Sequence, residues 1–166
     1  MKPYLITILG TVALMKLWSG CAVTPEYSDT PNIEFRSFSK DTLLQGSLFN
    51  DSTYLTIFFT DGDGDFGIAA TSNGSNIYLT DTRTGEIFRS FKAPLIPEVG
   101  SANGVSGTIK LKLYTTCCIY LPDTGLIPCE PNPSETDSVV LEMYIKDRAG
   151  HQSNTITLPP FILRCE

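Results

Sequence analysis

A period of two governs what this chain can become. Ile109, Leu111 and Leu113 alternate with Lys110 and Lys112, while Val139, Leu141, Met143 and Ile145 alternate with residues that include Glu142 and Lys146. Residues two apart on an extended strand share a face, so each segment has one apolar side and one side that meets water. Leu55, Ile57 and Phe59 repeat the pattern. Runs of this kind, rich in β-branched and aromatic residues and separated by Gly, Pro, Asn and Asp, predict strands over 32–38, 53–60, 76–81, 86–91, 107–114, 138–147 and 154–158. No segment carries a helical period, and there is no internal repeat. About seven strands, each wet on one face, predict an all-β chain: two antiparallel sheets packed as an immunoglobulin-like β-sandwich. The Cys-Trp-Cys arrangement of antibody domains is absent, so the expectation concerns architecture.

The N-terminus obeys a different rule. Met1 and Lys2 precede an apolar run from Tyr4 to Leu17, and Trp18, Ser19, Gly20 and Cys21 follow. A charged start, a short apolar core and small residues make a secretory signal, too short for a comfortable transmembrane helix. The Ser-Gly-Cys ending resembles a lipobox, whose cysteine thiol receives a diacylglycerol and becomes the new N-terminus. Lys16 within the run and Trp18 in place of the usual leucine depart from that pattern, and an ordinary cleaved signal or an uncleaved anchor is the rival. The organisation expected is a leader over 1–20, lipidation at Cys21, a Pro-containing tether over 21–31 and one domain over 32–166. The expected place is the outer membrane, reached through lipid.

Five cysteines leave an odd one. If lipid takes Cys21, an even set remains in an oxidising compartment: Cys117, Cys118, Cys129 and Cys165. Two disulfides are expected, with Cys129 closing the proline-rich loop onto Cys117 or Cys118, and Cys165 tying the C-terminus to the other. Bonding between the adjacent pair is strained and ranks last. Zinc is a weaker reading, because adjacent cysteines lack the two-residue gap of structural zinc knuckles. The segment 115–137, with four prolines and this stapling, is the expected binding surface or a clamp on an open sheet edge.

Three runs carry a family likeness: D-G-D-G-D-F-G from Asp61, T-T-C-C-I-Y from Thr115 and K-D-R-A-G-H-Q-S-N from Lys146. With them the chain resembles Bacteroidota-type outer-membrane lipoproteins that carry an immunoglobulin-like β-sandwich domain. The last run is also similar to the final hairpin of bacterial immunoglobulin-like surface domains. The resemblance implies a place and a fold, and transfers no catalytic residue.

Asp61, Asp63 and Asp65 alternate with Gly62 and Gly64 directly after the second predicted strand, a pattern that can wrap carboxylate oxygens around calcium. The loop is not an EF-hand, because Phe66 and Ser72 stand where that motif needs Gly and Glu. Asp61 continues the inward parity of Phe59, and Asp147 that of Ile145. In an immunoglobulin-like order both strands end at one pole, so Asp61, Asp63, Asp65 and Asp147 form the candidate metal site, with calcium the candidate ligand. The alternative is that Asp147 accepts hydrogen bonds from the turn holding Ala149 and Gly150, while the other aspartates form a solvated turn.

Charge and composition narrow the remaining classes. Removing the leader takes two of the twelve basic residues and none of the eighteen acidic ones, leaving a net charge of −8. That argues against nucleic acid, which needs a clustered basic surface. His151, the one histidine, stands in a predicted turn, and no nucleophile elbow or phosphate-cradling glycine motif is present. A non-catalytic module that binds another envelope protein is therefore expected. The second reading is a glycan-binding accessory of a nutrient-uptake system. Trp18 is lost with the leader, so Tyr114 and Tyr120 would have to stack on a sugar.

Overall fold

The computed structural model describes residues 26–96 and 104–166. The predicted leader, the lipidation candidate Cys21 and residues 22–25 of the tether lie outside the described residues. Ten strand segments follow in order: β1 (Asn32–Phe38), β2 (Thr42–Leu44), β3 (Ser52–Asp61), β4 (Ile77–Asp81), β5 (Glu86–Phe91), β6 (Val105–Tyr114), β7 (Thr136–Val139), β8 (Leu141–Ile145), β9 (Ile156–Thr157) and β10 (Phe161–Arg164). The one helical element among the described residues is a single 3-10 turn at Pro122–Thr124.

The pairing makes a sandwich. One layer is β1-β3-β6, antiparallel throughout. In the other, β8 lies between β4 and β9, and β5 closes the row on the outside of β4. Val140 alone separates β7 from β8, and β7 pairs with β10 as β8 pairs with β9, so both pairings are lengths of one hairpin. The chain likewise passes from β1 in the first layer to β2 in the second, where β2 lies beside β10. Joined in this way, the ten segments trace seven strand paths in an all-β sandwich, as the alternation predicts. One correction concerns direction: β2 runs parallel to β10, so the second layer is not wholly antiparallel.

The expected strand over 138–147 breaks because the Val140 carbonyl turns to accept the Thr82 N–H. The one over 154–158 shrinks to two residues, because Pro159 and Pro160 follow with no N–H to donate to a ladder. Side-chain parity holds: Leu55, Ile57, Leu113, Met143 and Ile145 are wholly buried with Ile77 and Leu79 from β4, and Lys110, Lys112 and Glu142 face water. Ile109 is only half-buried.

The sandwich has two unlike ends. At one, β3 finishes at Asp61, β8 finishes at Ile145, and the incoming chain packs against the strand ends through Tyr27 and Ser28. Gly62 makes that approach possible: its N–H donates to the Ser28 carbonyl at 2.7 Å, and a Cβ there would stand 2.4 Å from the Tyr27 carbonyl oxygen. At the other end lie the turn between β4 and β5, the cysteine loop and the C-terminus.

Candidate functional site

The aspartate pole begins where β3 stops. Inward parity carries Asp61 into the sandwich, where it is wholly buried beside Phe59 and Phe66. Its Oδ2 accepts the Phe66 N–H at 2.9 Å, while Oδ1 is buried with no hydrogen-bond partner among the described residues. Asp63 is exposed and its Oδ1 accepts the Asp65 N–H at 3.4 Å. Asp65 reaches across to the turn after β8, accepting the N–H groups of Arg148 at 3.2 Å and Ala149 at 2.9 Å. Gly67, at φ +92°, lets the loop double back under the Pro94 carbonyl. One oxygen from each of Asp61, Asp63 and Asp65 lies within 4.8 Å of the others.

Burial pushes the Asp61 carboxyl up to about 6, the Phe66 N–H opposes the rise, and the charges of Asp63, Asp65 and Asp147 add to it. A buried carboxylate with a bare oxygen beside two more carboxylates is a costly arrangement for a protein to hold without compensation. The donor set is all oxygen, which suits a hard cation such as calcium.

Asp147 is at the same pole but spends itself differently. Its side chain is fully buried; Oδ1 accepts the His151 N–H at 2.7 Å, and Oδ2 stands 2.9 Å from His151 Nδ1. It therefore closes its own turn through His151, while the Ala149 N–H goes to Asp65 and Asp61 is buried rather than part of a solvated turn; the Asp147 oxygens are not in the group of three. His151 is exposed, and among the described residues its ring pairs with Asp147 alone.

The cysteine pole is stapled twice, by Cys117–Cys129 and by Cys118–Cys165. The side-chain amide of buried Gln45 bridges the loop, accepting the Cys118 N–H and donating to the Glu130 carbonyl, both at 3.1 Å. An element without a sequence signal completes the clamp. Arg83, in the β4–β5 turn, holds Asp81 with Nε at 3.0 Å and Nη2 at 2.6 Å, and Asp137 with Nη1 at 2.5 Å. The same Asp137 Oδ2 accepts the Ile119 N–H at 2.8 Å. Burial raises the Asp81 carboxyl, but the Arg83 hydrogen bonds outweigh it and hold Asp81 below the usual carboxylate range. Asp137 is 54 residues from Arg83, so no spacing rule could have joined them.

Around this rigid frame large apolar side chains stand in solvent: Leu48 is 84% exposed, Phe49 58%, Leu121 71% and Ile127 68%. Phe49 holds a left-handed backbone at φ 58°, its ring edge-on to Tyr114 at 4.9 Å. The two tyrosines named as sugar platforms are partly spent. Tyr114 is half-buried, with Lys112 Nζ 4.7 Å from its ring centre, and the Tyr120 hydroxyl donates to the Glu130 carbonyl at 2.5 Å.

No helix among the described residues is long and apolar enough to cross a membrane. Compared with known proteins, the chain matches no family model, no curated protein and no solved structure.

Proposed function

We propose that this protein is a lipid-anchored, non-catalytic module of the outer membrane that meets another envelope protein through its cysteine-stapled pole. The observation that carries this reading is the opposition of the two ends. The chain enters at the aspartate pole, and the exposed Leu48, Phe49, Leu121 and Ile127 stand at the other. Tyr27 lies six positions after Cys21, a reach of about 20 Å when extended. An anchor at Cys21 therefore keeps the aspartate pole against the membrane and aims the stapled loops away from it. Apolar side chains left in water and mounted on a disulfide frame support a protein–protein surface.

The aspartate loop supports a second element of the reading, a calcium ion held by Asp61, Asp63 and Asp65. Its role is to neutralise the carboxylates and stiffen the pole where the tether arrives. Asp147 contributes charge there while closing its own turn. The glycan reading gains no specific observation, since neither Tyr114 nor Tyr120 offers a freely exposed ring.

The anchor is tested by Cys21→Ser, which should move the protein out of the membrane fraction or leave the leader attached; unchanged, processed membrane protein refutes it. The docking surface is tested by recovering the lipidated protein from native membranes with Leu121→Asp and Ile127→Asp. A partner that co-purifies equally with the double variant refutes it. The metal is tested by a thermal melt in calcium and in chelator. Binding to the folded state alone raises stability by about 2.7 kcal/mol at a hundredfold excess over the dissociation constant.

A further inference from the structure

Each sheet of an open sandwich ends in strands whose outer backbone groups need a partner, and proteins blunt such edges with bulges, short strands or covering side chains. Three of the four edges here are treated in that way. β1 carries a bulge between Phe35 and Ser37, and the side-chain amide of Asn154 accepts the Ile33 N–H at 2.8 Å and donates to the Ile33 carbonyl at 2.9 Å. The β4–β5 pairing has an irregularity between Leu79 and Thr80, and β2 is three residues long. β6 is the exception: ten residues, in unbroken register with β3, with no proline.

Its outward groups can be assigned. The Thr115 N–H donates to the Asp51 carbonyl at 3.0 Å, so the alternation of an antiparallel ladder turns the odd-numbered residues of β6 toward β3. The backbone N–H and C=O groups of Ser106, Thr108, Lys110 and Lys112 then face away from the sheet, and no backbone partner meets them among the described residues. Beside this edge the two layers stay apart. A cleft of about 400 Å³ opens between β6 and the segment after β5, lined by Phe59, Phe66, Ile77, Ala93, Ile109 and Leu111. Ile109 is half-buried because nothing described closes that side.

Charge decides what fits. Among the described residues the cleft is rimmed by Lys92 and Lys110 and by no carboxylate, in a chain of net charge −6. Lys110 and Lys112 lie against the Tyr54 and Tyr114 rings at 4.6 and 4.7 Å and pair with no carboxylate among the described residues. A second copy of the chain is disfavoured: antiparallel pairing of two β6 edges around Leu111 sets Lys110 of one against Lys112 of the other, and like charges directly opposite are destabilising.

We propose that the β6 edge receives an extended segment of a partner protein, in which apolar residues that enter the cleft alternate with acidic residues set opposite Lys110 and Lys112. Backbone hydrogen bonds hold the added strand, and the alternate side chains select it. This site is independent of the stapled pole, and its test reads neither the anchor nor the loops.

The test uses the purified full chain and two labelled peptides of about nine residues, enough to span the edge at 3.3 Å each. One alternates Val with Glu, the other Val with Lys. The Val-Glu peptide should bind about tenfold more tightly than the Val-Lys peptide, the sum of two cross-strand charge pairs. Binding should slow hydrogen exchange at the amides of Thr108, Lys110 and Lys112. Thr108→Pro removes one outward N–H without touching the β3 ladder, so it should leave the fold intact and abolish binding. The double variant Lys110→Glu, Lys112→Glu should reverse the preference between the peptides. Equal binding of both peptides, binding of neither, or binding without new protection on β6 overturns the proposal. So does protection of those amides in the free chain, which would mean that residues 97–103 already fill the edge. A dimer dispersed by Thr108→Pro would assign the edge to a second copy, and equally overturns it.

Discussion

Replacing Asp61 with asparagine should make the metal-free protein more stable at neutral pH. The carboxyl is wholly buried, one oxygen has no partner among the described residues, and its pKa is raised from 3.8 to about 6. The folded state therefore holds this proton more tightly than the unfolded chain does. Below about pH 4 both states are protonated and the group costs nothing. Between about 4 and 6 the unfolded chain ionises first and stability falls; above 6 the full penalty is in place. A shift from 3.8 to about 6, at 1.36 kcal/mol per unit, amounts to about 3 kcal/mol. Asparagine cannot ionise, keeps an oxygen for the Phe66 N–H and leaves an amide where the bare oxygen stood. In urea denaturation with chelator at pH 7, its midpoint should rise by about 1–2 M for a slope near 2 kcal/mol/M. The advantage should vanish by pH 4. With calcium in excess the order should invert, because only the wild type gains binding energy. A variant that is less stable than wild type in chelator at pH 7, with the wild-type pH slope unchanged, refutes the burial argument. Its failure to invert in calcium refutes the metal reading alone.

Three further outcomes are expected. Breaking Cys118–Cys165, which spans 47 residues, with a paired Cys→Ser change should cost about 4 kcal/mol by loop-closure entropy. The 12-residue Cys117–Cys129 link should cost about 3, both read from urea midpoints of purified variants, and equal costs would show that loop length is not the cause. Arg83→Met should destabilise by about 3–5 kcal/mol, because Asp81 is left buried without its cation. That loss should shrink as pH falls through the depressed Asp81 pKa, where the wild type also forfeits the pair, and a loss independent of pH would point to packing instead. Gly62→Val should push the Tyr27–Ser28 stretch off the strand end, speeding hydrogen exchange at residues 27–30 while leaving β3 and β6 protected; unchanged exchange would show that the stretch does not rest on Gly62.

The interior was legible because it follows a two-residue rhythm that survives any packing detail: Leu55 to Phe59 and Val139 to Ile145 face in as their spacing requires. The disulfide partners were legible to within one choice. Cys165 shares parity with buried Phe161 and Leu163, so it faces the core and must bond to whichever of the adjacent cysteines also does. That cysteine is Cys118, whereas continuing the count from Leu111, Leu113 and Thr115 would have named Cys117; the phase slips by one residue as the chain leaves β6. β2 and β10 were missed because three- and four-residue strands are too short to display a period. The convergence of Asp61 and Asp147 on one pole was readable from parity. Parity left two roles open for Asp147, ligand or turn acceptor, and its partner His151 was not readable, because the shape of that turn is set by Gly150 at φ +94°.

The opposition of the two ends has a mechanical meaning. A pull between Tyr27 and the stapled loops acts along the strand axes, so β1 is loaded against β3 by sliding, and the ladder from Asn32–Thr60 to Phe38–Leu55 resists as a set rather than opening one bond at a time. At the far end the load meets Cys118–Cys165, a covalent link that keeps β10 from peeling off its neighbours. Resistance to such a pull is governed by an unfolding rate rather than by equilibrium stability. If the protein is held between a membrane and a partner, as proposed, it is braced in the direction in which it would be stretched.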